Sequence, residues 1–395
     1  MAVAHDLAPR AAQPSPQRTI GLVGLTLALG YLIVLGGAWL QGDFLLDRFG
    51  RPIVNDFVNV YAAGRLTHGG DAAAAYDWTA QKAAEIRAIG HDFDGYYGWH
   101  YPPPAFFFAA ALAALPYLAA MLGWLAATLA VYAAAIGRII GGRAGVLFAL
   151  GFPAGIWNVT AGQNGFLTAA LIGGTLSFLQ RQPVLAGVCL GCLTYKPQFG
   201  LLFPLALIAD RRWLTVAVAA LTAAVLAAAS WLIFGGESWR AFFHWAPISS
   251  RLLTEPAVLN WYRVQSVFAL IRAHGGGEGL AWTVQALLTL ALAAGLVWLW
   301  RSRAAFELKA AALAAGAPLA TPYLFMYDLT VLAVAVAFLL RLALRSGFSK
   351  IEIAALAAAG ALILIYPYVE THVGFAAALI VMAVVMRRAC TAPAT

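Results

Sequence analysis

The chain reads as an all-α polytopic membrane protein on three observations. Of its 395 residues 62% are hydrophobic and 11% charged, against ~25% charged in an ordinary soluble domain. The polar shell that a soluble fold of this size requires is missing. The apolar residues fall into runs of roughly 17–25 positions, a length that suits helices crossing lipid. Alanine and leucine dominate those runs, which favours helix over barrel strand. The expected architecture is a bundle of about 11–13 transmembrane helices. Several runs are short, which predicts tilted or half-length helices lining an internal cavity.

In chain order, residues 1–19 are rich in Ala, Pro and Gln and read as a disordered cytoplasmic tail. The run 20–40 is too long for a signal-peptide core and lacks a cleavage site, so it reads as a retained signal anchor. A loop over 41–101 follows, with short amphipathic helices expected at 56–66 and 77–89, Asp77 capping the second. Both are expected to lie along the membrane surface. Residues 103–137, interrupted by Pro116, predict a short helix and then a full one, one crossing too many unless the first is re-entrant or broken.

Basic clusters stand at Arg138/Arg143, Arg181, Arg211/Arg212, Arg301/Arg303/Lys309, Arg341/Arg345/Lys350 and Arg387/Arg388. Placed in the cytoplasm, they put the turns 158–165, 195–198, 235–280, 321–328 and 366–372 on the opposite face. The stretch 235–280 is the second large external loop. One multi-spanning domain is expected over 20–388, with a cytoplasmic tail at 389–395. The net charge of +8 is then explained by cytoplasmic loops beside anionic lipid, and nothing resembles a nucleic-acid-binding module. Cys189, Cys192 and Cys390 give no disulfide framework. The Cys189-x-x-Cys192 pair lies in an apolar helix and reads as small packing residues.

Most remaining unusual polar residues fall opposite the basic clusters: Asp56 and Tyr61, His100 and Tyr101, Asn158, Gln163 and Asn164, Lys196 and Gln198, Tyr327 and Asp328, then Glu370 and His372. Polar groups near or within membrane segments are costly and mark substrate paths. Several separate stretches converging on one face describe a site; a charge-paired structural network is the alternative. Lys196 is the sharpest case, in Tyr195-Lys196-Pro197-Gln198 within the apolar stretch 184–208. A buried lysine needs an anion, either a lipid-linked phosphate or a carboxylate such as Asp328 or Asp56. Pro197 breaks the helix there and frees backbone groups to face a ligand. Asp56 has two readings: a base facing a cavity, or a cap for the helix beginning at Phe57.

The motifs, in order, are Asp56-Phe57-x-x-x-Tyr61-x-Ala63-Gly64, Tyr101-Pro102-Pro103, Gly162-Gln163-Asn164, Lys196-Pro197-Gln198, Arg211-Arg212-Trp213, and Thr321-Pro322-Tyr323 through Tyr327-Asp328. No single piece is specific, but their order and spacing resemble glycosyltransferase family 87, polyprenyl-phosphate-mannose-dependent mannosyltransferases of the GT-C superfamily. The resemblance implies a GT-C-type bundle whose two large external loops carry short amphipathic helices. It also implies a metal-independent, inverting transferase with its site open to the periplasm; the Ala-rich composition points to a bacterial inner membrane. The implied donor is a sugar on a polyprenyl phosphate, the sugar mannose or another hexose, and the implied acceptor is a lipid or glycan. Asp56 would be the catalytic base, with Lys196, Arg263 or His244 stabilising the departing phosphate. Tyr61, His100, Tyr101, Gln163, Asn164, Gln198, Tyr327 and Asp328 would complete the substrate site. One branch of the family carries adjacent histidines where this chain has Tyr327-Asp328, which leaves sugar and acceptor open.

The chain has no Gly-rich phosphate loop after a strand, and Asp92-Phe93-Asp94 reads as solvated loop carboxylates. Its histidines lack zinc-type spacing, so no metal or cofactor is expected. A polyprenyl-lipid or small-molecule transporter or flippase is the competing reading. Transporters usually carry internal repeats and midplane polar sites. This sequence has no repeat, and its polar residues gather toward one face.

Overall fold

The computed structural model describes residues 15–252 and 261–391. The expected tail over 1–14, the last residues 392–395 and part of the second large loop, 253–260, lie outside the described residues. Helix α1 spans Pro16–Gln41. It starts earlier than the apolar run because the Ser15 side chain accepts the Arg18 N–H and Pro16 occupies the first helical position. Residues 16–19, expected in the tail, are therefore its first turn.

In the first large loop α2 spans Phe57–His68 and α3 Trp78–Ile89. The Asp77 side chain caps α3, accepting from Ala80 N at 2.8 Å. Contrary to expectation, α2 does not lie on the membrane surface, because every residue from Phe57 to Gly64 is buried. Its first two turns hold little polar side chain on any face, and a helix apolar all round packs inward. Gly64 lets it close on the Ala109 carbonyl of α4, Phe106–Ala113.

Helix α4 is 8 residues long, about 12 Å at 1.5 Å per residue, and cannot cross a ~30 Å hydrocarbon layer. Helix α5, Tyr117–Ile140, starts after Pro116. Its Tyr117 packs edge-on against Phe57 and Tyr61 of α2. The short helix expected within 103–137 is thus present as a half-length element, and α5 is the full one.

Helices α6 (Gly142–Gly151) and α7 (Ala154–Ala161) bend by 60° across Pro153. Helices α8 (Gly165–Phe178), α9 (Pro183–Cys192) and α10 (Phe203–Ala209) follow. Two 3-10 turns around Pro197 separate α9 from α10. Helix α11, Trp213–Leu252, is broken at Gly235, where φ is 79°. Then come α12 (Val267–Ala273), α13 (Glu278–Arg301), α14 (Phe306–Leu319), α15 (Leu332–Ser346), α16 (Lys350–Leu364) and α17 (Val373–Thr391). The last runs past the expected end of the domain at 388.

Among the described residues 6 helices are long and apolar enough to cross a membrane, or 7 if the bent α6–α7 pair counts as one. Shorter apolar helices such as α8 fill the interior, α14 is buried from Ala310 to Leu319, and the span that contains α15 is the most buried of the six. Arg138, Arg301, Arg345 and Arg388 close the last turns of α5, α13, α15 and α17. The polar residues of interest gather at the other end.

Candidate active site

A cavity of about 710 Å³ opens at that end. Loop one, α7, the turn at Lys196, the outer part of α11, Arg263, the segment before α15 and Tyr366 all contribute to its wall. Asp56 lines it at the position before α2 and does not cap that helix. The capping is done by Asn55, whose Oδ1 accepts the Phe57 N–H at 3.0 Å. Asp56 Oδ2 instead accepts from Gln163 Nε2 at 3.0 Å, and Oδ1 has no partner among the described residues. Burial pushes the Asp56 carboxyl above the usual carboxylate range. The Gln163 hydrogen bond and the positive charges of Arg263 and Lys196 oppose that shift, and Asp328 adds to it.

Two glycines bring Gln163 to this place. Gly162 ends α7 with φ 66°, and a Cβ there would lie 2.7 Å from Phe57 Cβ and 2.9 Å from Asn55 Oδ1. The left-handed conformation and the close approach both require glycine. Gly165 opens α8 against the Tyr327 carbonyl, where a side chain would collide. Its N–H donates to Asn158 Oδ1 at 2.7 Å, which gives Asn158 a structural role in the turn. From Gln163 the network continues inward. The Tyr101 hydroxyl donates to Gln163 Oε1 at 3.3 Å and accepts from Asn164 Nδ2 at 2.7 Å. The Tyr195 hydroxyl meets Thr168 Oγ1 at 2.6 Å.

Lys196 lines the cavity, and its ammonium donates to Asp328 Oδ1 at 2.6 Å, both side chains being buried. The anion that the sequence demanded is therefore already in the protein. Asp328 Oδ2 accepts the Phe325 N–H at 3.3 Å and pins the turn Met326–Val331. Tyr327 places its ring 5.1 Å from the Lys196 ammonium and stacks on Phe325.

Arg263 also lines the cavity, is exposed, and has no ion-pair partner among the described residues. Buried Gln265 fixes its short turn: the Gln265 N–H donates to the Leu324 carbonyl at 2.6 Å, and Oε1 accepts the Gly374 N–H at 2.7 Å.

Of the remaining expected residues, His100 and Gln198 line the cavity. Asn164 and Asp328 stand one contact behind its wall. Tyr61 does not line it: the ring packs on Phe57 and Tyr117, and the hydroxyl donates to the Leu115 carbonyl at 2.8 Å. His244, Glu370 and His372 are not part of the wall either, and His372 packs against Tyr262. The sequence reading missed the capping role of Asn55, the cavity residue Asn59, and an aromatic lining that includes Tyr96, Tyr97, Trp157, Trp245, Phe325 and Tyr366. Their signal was present as aromatic density in the loops, which an interfacial belt also produces.

The site is thus a polar, aromatic-walled cavity at one end of a helical membrane bundle, with Asp56 as the acidic residue in its described wall. The model of glycosyltransferase family 87 matches residues 99–322, more than half of the chain, and the chain belongs to that family. The matched segment includes Gln163, Lys196 and Arg263; Asp56, Tyr327 and Asp328 lie beyond it. No curated protein and no solved structure matches the chain.

Proposed function

We propose that the enzyme transfers a sugar, mannose or another hexose, from a polyprenyl phosphate to a hydroxyl of a lipid or glycan acceptor. Transfer is by direct displacement with inversion, without a metal. In this reading the protein sits in a bacterial inner membrane with its cavity facing the periplasm. The gathering of basic residues at the opposite helix ends supports that orientation. The observation that carries the reading is Asp56, which is relieved of capping by Asn55, oriented by Gln163, and left with a free oxygen at the cavity.

Asp56 takes the proton of the acceptor hydroxyl as that oxygen bonds to the anomeric carbon. The bond from that carbon to the phosphate oxygen breaks, and polyprenyl phosphate leaves with the electron pair. The raised basicity of a half-buried carboxylate suits this task. Direct displacement needs one base at the cavity. Asp56 is the single acidic residue in the described wall, and Asp328 is committed to Lys196. Arg263 is the uncommitted cation for the phosphate, with Lys196 beside it at lower net charge. His100, Tyr101, Gln163 and Gln198 offer hydrogen bonds, and the aromatic rings offer faces for the sugar.

The test incubates purified protein in nanodiscs with radiolabelled polyprenyl-phosphate mannose and a membrane lipid extract, wild type beside Asp56→Asn. Wild type should move label to a new product. Asp56→Asn should fold normally and lose about 10²–10⁴-fold in rate, the usual contribution of a general base. Wild-type turnover in Asp56→Asn removes it as the base. If no donor in a panel of polyprenyl-linked sugars is used, the transferase reading fails.

A further inference from the structure

The interface between α2 and α3 holds a carboxyl that the mechanism above does not use. Glu85 is fully buried, and neither of its oxygens has a hydrogen-bond partner among the described residues. One turn earlier on α3, Gln81 donates to the Asn59 carbonyl of α2 at 2.9 Å. Asn59 lies one turn after Asp56 and shares the cavity wall with it. Among the described residues Asn59 Oδ1, Gln81 Oε1 and both Glu85 oxygens are buried and unpartnered, and so are the Tyr96 and Tyr117 hydroxyls.

These side chains offer more acceptors than donors. An ionised Glu85 can only accept, whereas a protonated one adds a donor. No cation forms an ion pair with it among the described residues: Lys82 is on the same helix, but its ammonium is held by the carbonyls of Phe93 at 2.6 Å and Gly95 at 2.8 Å. The other titratable groups around Glu85 are Tyr96 and Tyr97 from the cavity loop, Tyr117 from α5 and, beside Tyr117, Tyr61 of α2. Asp77 lies near Tyr96, and Tyr97 stands close to Asp56 as well.

We propose that Glu85 is a positioning residue for Asp56, acting as a neutral, protonated carboxyl that joins α3 to α2 and to the Tyr96–Tyr97 wall. The proposal rests on the reading of Asp56 as the base. Burial pushes the Glu85 carboxyl from 4.5 to about 8, and the positive charge of Lys82 is the main influence against that shift. A carboxyl whose pKa is higher in the folded state stabilises the fold fully below its unfolded value. That stability is lost as pH rises from about 4.5 toward about 8. Above about 8 the ionised form places charge in an apolar interface and loosens the helix that carries Asp56.

The experiment compares the full-length wild type with Glu85→Gln and Glu85→Met in nanodiscs. Melting temperature and the rate of transfer from polyprenyl-phosphate mannose are both followed from acid to alkaline pH. The wild-type melting temperature should fall between about pH 4.5 and 8, and its rate should drop above that range. Glu85→Gln, a stand-in for the neutral acid, should remove this part of the melting slope. It should keep near-wild-type turnover at neutral pH and extend activity into alkaline pH. Glu85→Met should fold with a lowered rate, since it fills the space but bonds to nothing.

If Glu85→Gln is inactive at neutral pH, the ionised carboxylate is what the enzyme needs and the proposal is overturned. An unchanged melting slope in Glu85→Gln overturns it equally. If wild type transfers nothing from this probe, the functional reading fails first, and the melting slopes alone decide whether the carboxyl is neutral.

Discussion

The Lys196–Asp328 pair can be removed in two ways, and the difference between them tests whether the lysine is structural or held in reserve for a ligand. The contact is 2.6 Å, with side-chain exposures of 7% and 1%. Lys196→Met removes the cation and leaves the Asp328 carboxylate in the interior with one main-chain donor, Phe325 N–H at 3.3 Å. Stranding one partner of a buried pair costs about 3–5 kcal/mol. At roughly 2 °C per kcal/mol that is a drop in melting temperature of about 6–10 °C. Lys196→Met combined with Asp328→Leu removes both charges, so stability should return to within about 1 kcal/mol of wild type. Thermal unfolding of the purified variants, followed by loss of the monodisperse peak on size exclusion, measures both. Donor affinity is measured on the same samples. A single variant that melts like wild type while losing donor affinity would refute this reasoning, because Lys196 would then be a phosphate ligand and its contact with Asp328 incidental.

Arg263→Ala should raise the KM for the polyprenyl-linked donor by roughly 10–150-fold, the equivalent of ~1.5–3 kcal/mol for a charge-assisted hydrogen bond. The effect should be larger than that of the double Lys196/Asp328 variant, and steady-state kinetics against donor concentration checks both. Gln163→Leu removes a hydrogen bond that holds the Asp56 pKa down. Because the base works ionised, activity disappears as pH falls through that pKa, so the acid limb of kcat/KM should move to higher pH. Asn55→Ala removes the cap of α2 at a cost of about 0.5–2 kcal/mol and lets the Asp56 carboxylate take its place. Transfer should fall further than the melting temperature suggests, and Asn55→Ser should restore much of it.

What was legible in the sequence follows from how local each signal is. Helix existence depends on composition within one run, so α5, α13 and α17 were visible as single stretches, and Asp77 could be read as a cap from its own neighbours. The convergence of Gln163, Lys196 and Tyr327 on one side was legible because basic residues mark the opposite helix ends. The inward packing of α2 was not, because the polar residues at its ends, Asp56, Arg65 and His68, made the segment look amphipathic while its buried stretch from Phe57 to Gly64 lies between them. The counter-ion of Lys196 was narrowed to Asp56, Asp328 or a phosphate, and only the packing of the turn Met326–Val331 against α8 selects among them.

Asp56 itself shows the limit most clearly. Asn55 and Asp56 are adjacent, both are good caps, and their spacing to α2 favours the second. The choice is made from outside the helix, by Gly162, whose positive φ and missing side chain let the next residue, Gln163, reach Asp56 while Asn55 turns to the helix. A side chain at position 162 would therefore strain the turn and also withdraw the group that orients the base.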